Sequence, residues 1–251
     1  MGLFDFLSSS PEKKANKAKA VMLNEHHQHQ VRQQAIYDLG QLDDEHALRA
    51  LIERLGVNFR DTIKNEQERG WVRHLLVEQF SERAISPLKE FIEGASATNQ
   101  SVSGAAQVLR ELIDEDDLVV FLIQVLNQHP PKDHRAVDIR QQLIDALEER
   151  AEHHEEIIQA LLPYVVDHSD DIRIKVINII EERLRGLEGD HNEVIEALIN
   201  AMTDPFASGR TARASAQALT RMRALLTPFT AQLEGQLPEG YQLANGYLQE
   251  V

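Results

Sequence analysis

The sequence predicts an all-α fold, an α-α superhelix of about six helix pairs followed by a short tail. Three observations predict it. One helical phrase recurs along the chain, a second follows most copies of the first, and strand signals are confined to one stretch near the end. The organisation that follows is an N-terminal segment over 1–11, a run of repeats over 12–235 and a tail over 236–251.

The first phrase reads Val-Arg-x-x-Ala-Ile-x-x-Leu at Val31–Leu39 and Val-Arg-x-x-Leu-Val-x-x-Phe at Val72–Phe80. It returns as Ile-Arg-x-x-Leu-Ile-x-x-Leu at Ile139–Leu147 and as Ile-Arg-x-x-Val-Ile-x-x-Ile at Ile172–Ile180. Apolar residues at offsets 0, 4, 5 and 8 make one stripe on a helix. Weaker copies start near Val102, with Ala105, Ala106, Val108 and Leu109, and near Thr211, with Ala214, Ala216, Ala218 and Leu219. Spacings of about 30–41 residues fall in the range of two-helix repeats.

The second phrase runs Ala47-Leu48-x-x-Leu51-Ile52, then Ile85-x-Pro87-Leu88-x-x-Phe91-Ile92, then Leu118-Val119-x-Phe121-Leu122. Later copies are Ile157-Ile158-x-x-Leu161-Leu162 and Val194-Ile195-x-x-Leu198-Ile199. Asp43, Asp44, Ser81, Asp116, Asp117, Asp170, Asp171 and Asp204 stand in the links as helix caps. In the tail, Asn245-Gly246 between apolar pairs predicts a tight hairpin, because both residues accept positive φ.

The repeated helix, entered through an Asp-rich turn, resembles the HEAT repeat, and the resemblance covers residues 12–230 with four clean units. The layout also resembles a bacterial family of HEAT-repeat proteins. Shared with it are the Met1–Leu7 start followed by Ser10-Pro11-Glu12-Lys13-Lys14, a long link over 57–70, and Leu237-Pro238-Glu239-Gly240-Tyr241. The resemblance implies a fold and brings no activity with it. It also implies that Arg32, Arg73, Arg140 and Arg173 bond to an acid or carbonyl in an adjacent turn, so they are structural.

Composition narrows the function. The chain of 251 residues has 26 lysines and arginines against 41 acids, a net charge of −15, and no cysteine. Thiolate metal sites, disulfides and cysteine nucleophiles are excluded together. No apolar run approaches the length of a membrane span. Met1–Leu7 lacks the cationic, longer pattern of a signal peptide, and Phe6 breaks the myristoylation pattern, so the expected location is cytoplasmic. Residues 111–200 hold 22 acids and 8 bases. Such a block repels phosphate backbones, so no nucleic-acid partner is expected, and attracts a basic protein.

Fourth and fifth units both exit through Glu-Glu-Arg, at Glu148-Glu149-Arg150 and Glu181-Glu182-Arg183. Stacked units would set these acidic pairs side by side. The candidate partner-binding residues are therefore Asp145, Glu148, Glu149, Glu181 and Glu182, with Ile174 and Ile179 as apolar neighbours. The reading is a non-catalytic scaffold or adaptor that uses an acidic face, with self-association through basic ends as a variant of it.

Motifs for chemistry are missing. There is no phosphate-binding glycine loop, no nucleophile elbow and no His-Glu-x-x-His. The clusters His26-His27-x-His29 and His153-His154-Glu155-Glu156 read as solvated helix ends, and no metal or cofactor is expected. Di-iron enzymes of the deoxyhypusine hydroxylase type pair His-Glu dipeptides on successive repeats; this chain has one, at His154-Glu155, and His74 precedes Leu75. The alternative is a lyase-like or accessory subunit acting on a cofactor- or chromophore-bearing protein. A pocket lined by Tyr37, Trp71 and His74 would favour it. The long link with Phe59 and Ile63, and the apolar Leu3-Phe4-x-Phe6-Leu7, are secondary contact candidates; the latter is expected to cap the repeats and not to hold a membrane stably.

Overall fold

The computed structural model describes residues 10–95, 101–150, 154–186 and 191–251, which are mostly helical. The apolar stretch Leu3–Leu7 and His153 lie outside the described residues. The chain divides into two compact units, Met1–Val125 and Leu126–Val251.

In the first unit α1 (Pro11–Met22), α2 (His29–Leu42) and α3 (Glu45–Leu55) pack against one another. Next come α4 (Thr62–His74), α5 (Ile85–Glu93), α6 (Ser103–Leu112) and α7 (Glu115–Asn127), whose end passes the boundary of the units. The starts of α1, α3 and α4 are capped by side chains. Ser10 Oγ accepts the Lys13 N–H at 3.3 Å, Asp44 Oδ1 accepts that of Ala47 at 2.8 Å, and Asp61 Oδ1 that of Lys64 at 3.1 Å. The link expected over 57–70 is shorter than its sequence suggests, because capping by Asp61 starts α4 at Thr62.

α4 does not end where its α-hydrogen bonding stops. Leu75–Phe80 continues it as a π-helical segment, and a short 3-10 turn, Ser81–Ala84, leads into α5. The cause lies partly on α2. A Cβ on Gly40 would sit 3.0 Å from Leu75 Cδ2, and the Gln79 amide donates to the Gly40 carbonyl at 2.5 Å. The bare backbone of Gly40 lets the wide turn press against α2, offsetting the roughly 1 kcal/mol that glycine costs inside a helix.

The second unit holds α8 (Val137–Glu148), α9 (His154–Leu161) and a 3-10 turn, Leu162–Val166. It continues with α10 (Asp170–Leu184), α11 (Asn192–Thr203), α12 (Gly209–Arg221) and the short α13 (Thr230–Leu233). α10 is central, touching α8, α9, the 3-10 turn and α12. The hairpin expected from Asn245-Gly246 is present: β1 (Tyr241–Ala244) pairs antiparallel with β2 (Tyr247–Glu250), with Ala244 opposite Tyr247. Asn245 and Gly246 have φ of 55° and 82°, the two positive values a two-residue hairpin turn of this hand requires. Leu248 fixes the hairpin by burying its side chain, and β2 packs on α12.

Arginines of the first phrase tie consecutive turns together. Arg32 reaches Glu68 and the His27 carbonyl, Arg140 reaches Asp167 and the Asp133 carbonyl, and Arg173 reaches Asp204 and the Asp167 carbonyl. All three are buried. Arg73 occupies the same place in its phrase but lies half-exposed, paired with Glu111.

Candidate functional site

α2 carries Gln33, Ile36 and Tyr37 along one side, and the junction of α4 with its π segment carries Trp71, His74 and Leu75. These six residues line a cleft of about 210 Å³. Offsets of three and four put Gln33, Ile36 and Tyr37 on one face of α2, and the same spacing joins Trp71, His74 and Leu75. Ile36 is buried and forms part of the floor, while Tyr37 is 58% exposed and Trp71 half-buried. An aromatic ring left this open beside a second one gives a partner side chain an apolar surface and two stacking faces.

Behind Trp71 lies a buried charge cluster. Its indole packs on the His29 ring with centroids 5.2 Å apart, and His29 Nδ1 is 2.8 Å from Glu68 Oε1. Glu68 is fully buried and also accepts from Arg32 Nη2 at 2.7 Å and Arg54 Nη2 at 2.8 Å. Asn65 Oδ1 takes a further Arg54 N–H at 2.9 Å, and both guanidiniums lie over the Phe59 ring at 4.7 and 4.2 Å. Burial opposes the charge of Glu68, but hydrogen bonds from Arg32, Arg54 and His29 together outweigh it and hold its carboxyl below the usual range. Burial lowers Arg54 more than Glu68 raises it. The cluster stiffens the wall that carries Trp71.

The acidic candidates of the second unit are only partly on the surface. Glu148, Glu149 and Glu182 are exposed, and Asp145 and Ile174 are half-buried. Ile179 and Glu181 are corrections: each is 3% exposed, so neither is available to a partner. The physical reason is that burial on α10 is wider than one stripe. Ile172, Val176, Ile177 and Ile180 form the buried stripe that the repeat predicts; Ile179 and Glu181 border it on either flank, and Glu181 Oε2 pairs with Arg221 of α12 at 3.3 Å. Glu181 Oε1 also accepts from Arg185 Nε at 2.6 Å.

Two further acids are already engaged. Lys175 Nζ lies 2.7 Å from both Asp145 Oδ1 and Glu148 Oε2. Nor do the two Glu-Glu-Arg exits act alike. Arg183 lies across the end of α8, donating to the Leu147 and Glu148 carbonyls at 3.1 and 3.2 Å and to that of Arg150 at 2.5 Å. A cation at a helix C-terminus satisfies carbonyls that have no partner within the helix. Glu148, Glu149 and Glu182 are the acids of the set that stay exposed, Glu148 in its pair with Lys175 and Glu149 beside Arg150.

Tyr37, Trp71 and His74, named from the sequence only as the lining of an alternative site, are brought together; the acidic set is not brought together as a continuous face. Glu68, Arg54 and Lys175 were not singled out from the sequence. Among the described residues, no group of three or more His, Asp or Glu side chains is arranged to hold a metal ion, and no helix is long and apolar enough to cross a membrane. No protein-family model, curated protein or solved structure matches the chain.

Proposed function

We propose that the chain is a non-catalytic protein-interaction module, a superhelix of HEAT-like repeats acting as a scaffold or adaptor. The observation that carries the reading is the cleft between α2 and the end of α4, where Tyr37 stands open beside Trp71 and His74. Its volume, about 210 Å³, is below the roughly 300–1,000 Å³ of small-molecule sites and suits one large side chain of a protein partner. Support for the repeats comes from Arg32, Arg140 and Arg173, which repeat one position of the phrase and one kind of bond. The exposed Glu148, Glu149 and Glu182 supply a second, salt-sensitive contact for a basic partner.

The test is affinity capture from cell lysate at low and high salt with the parent, a Tyr37→Ser/His74→Ser variant and a charge reversal of Glu148, Glu149 and Glu182. All five residues are exposed, so helicity by circular dichroism should be unchanged. A stoichiometric protein lost with the cleft variant supports the reading. Capture that survives both sets of substitutions, or no captured protein at all, overturns it.

A second reading is favoured by the same lining: an accessory subunit that handles a cofactor- or chromophore-bearing protein. The phenol and imidazole on an apolar floor offer stacking and hydrogen bonds to a flat conjugated group. Trp71 is the only tryptophan of the chain, so its fluorescence reports on the cleft and on the His29 ring behind it. Quenching by micromolar biliverdin, abolished by Tyr37→Ser/His74→Ser, would move the assignment to this reading.

A further inference from the structure

A larger cleft, about 470 Å³, opens in the second unit among Lys132, Val166, His168, Arg173, Asn200, Asp204 and Phe206. It is formed where three turns meet: the link before α8, the turn before α10 and the turn between α11 and α12. The turns are tied by backbone and side chain. The His168 N–H donates to the Pro131 carbonyl at 2.9 Å, and Asp167 Oδ1 accepts the Ser169 N–H at 2.8 Å while pairing with buried Arg140. The His168 ring meets His134 edge-on with centroids 6.2 Å apart.

Phe206 is 89% exposed, and its backbone is held in place. Asp204 Oδ1 accepts the Phe206 N–H at 2.9 Å, and its Oδ2 accepts from Arg173 Nη1 at 2.9 Å. One carboxylate therefore binds both the backbone that carries a bare aromatic ring and a buried guanidinium at the same cleft. Arg173 spends Nε on the Asp167 carbonyl and Nη1 on Asp204; its Nη2 enters neither bond. Lys132 adds a second cation, Val166 a 40% exposed aliphatic wall, and Asn200 an amide whose Oδ1 accepts from Gln232 Nε2 at 3.0 Å, so that its Nδ2 is the group offered. The one acid in the lining, Asp204, and Arg173 offset each other, which leaves Lys132 as the uncompensated cation of the cleft.

We propose that this cleft captures the free C-terminal carboxylate of a partner peptide whose last residue is apolar. A chain end carries a carboxylate and an apolar side chain on the same carbon, which matches cations and an aromatic ring held side by side in one cleft. The carboxylate sits between Lys132 and Arg173, the side chain against Phe206 and Val166, and Asn200 bonds the preceding peptide group. The volume lies within the usual range for a bound ligand and admits about two residues. This site is separate from the cleft of the first unit and does not rest on the function assigned to it.

The probe is acetyl-Gly-Leu-Phe as the free acid and as the C-terminal amide, titrated calorimetrically into the full chain. The free acid is expected to bind, with the amide about tenfold or more weaker, as loss of one charge-assisted hydrogen bond dictates. Lys132→Ala and Phe206→Ala remove exposed side chains and are each expected to weaken the free acid about tenfold while helicity is retained. Equal binding of acid and amide, no binding of either at millimolar concentration, or variants that bind like the parent would each overturn the proposal.

Discussion

Arg140 on α8 and Asp167 ahead of α10 form an ion pair from which water is wholly excluded on both sides. Arg140 Nη2 donates to Oδ1 at 2.9 Å, and Nε lies 2.7 Å from Oδ2 without being aligned as a hydrogen bond. The guanidinium is completed by the Asp133 and Pro130 carbonyls at 2.6 and 3.3 Å. Removing one partner strands a buried charge, so Asp167→Ala should cost about 3–5 kcal/mol. Arg140→Met/Asp167→Leu should recover most of that, since an apolar pair of similar volume needs no desolvation. Urea unfolding of the two variants and the parent checks both expectations; equal losses would mean that carbonyl contacts, not the pair, hold Arg140.

Glu68 predicts an acid limb for the first unit. Its folded value is depressed, so its stabilisation is complete above the unfolded carboxylate value of about 4.3 and drains as pH falls through the folded one. At neutral pH Glu68→Gln should be several kcal/mol less stable, about 3–5 by analogy with other broken buried pairs. As pH falls below the unfolded value the gap to the parent should narrow, and it should close once pH has passed the depressed folded value, where the parent protonates the same carboxyl. Denaturation midpoints from neutral to acid pH measure the gap; a constant difference would exclude Glu68 as the titrating group.

Tyr164 predicts the alkaline limb for the second unit. Burial pushes its phenol up to about 12, and its hydroxyl donates to the Leu126 carbonyl at 2.7 Å. A raised folded value means that the stabilisation is whole below the unfolded value of about 10 and is lost as pH climbs through about 12. In an ultraviolet titration, the Tyr164 phenol should ionise near 12, together with loss of helical signal. Tyr164→Phe should delete that late step. Four phenols ionising together near 10 in a folded chain would contradict its burial.

Lys175 predicts how much of the acidic face is latent. It bridges Asp145 and Glu148, and all three side chains keep contact with solvent. Lys175→Ala should therefore change stability by less than about 1 kcal/mol. It should also vacate a cation site, so that tetralysine binds more tightly at low salt than it does to the parent. Unchanged calorimetric binding would show that Asp145 and Glu148 turn inward once Lys175 is gone.

The stripe of Ile139, Leu143, Ile144 and Leu147 was readable because helix period and burial coincide there. Asp44 as a cap and Asn245-Gly246 as a turn were readable because each is decided within four residues. Ile179 and Glu181 were misplaced because the period reports the stripe, whereas burial on α10 extends to both of its flanks. Glu181 is held by partners no local pattern reveals, among them Arg221, 40 residues away. Glu68 was missed although a signal existed. Asn65, Glu68 and Val72 share one stripe of α4, and polar residues on an inward stripe mark a buried bonded network. The cleft depends on a π-helical turn, which no pattern of period 3.6 discloses.

The arginine pairs also set an order for birth on the ribosome. Glu68, Asp167 and Asp204 lie 36, 27 and 31 residues after Arg32, Arg140 and Arg173. At about 5–20 residues per second, each guanidinium leaves the exit tunnel on the order of seconds ahead of the carboxylate that neutralises it. A nascent helix pair thus stays electrically incomplete until its successor has been made. Slow codons between an arginine and its acid would prolong that interval, and with it the exposure of the unfinished pair to chaperones and proteases.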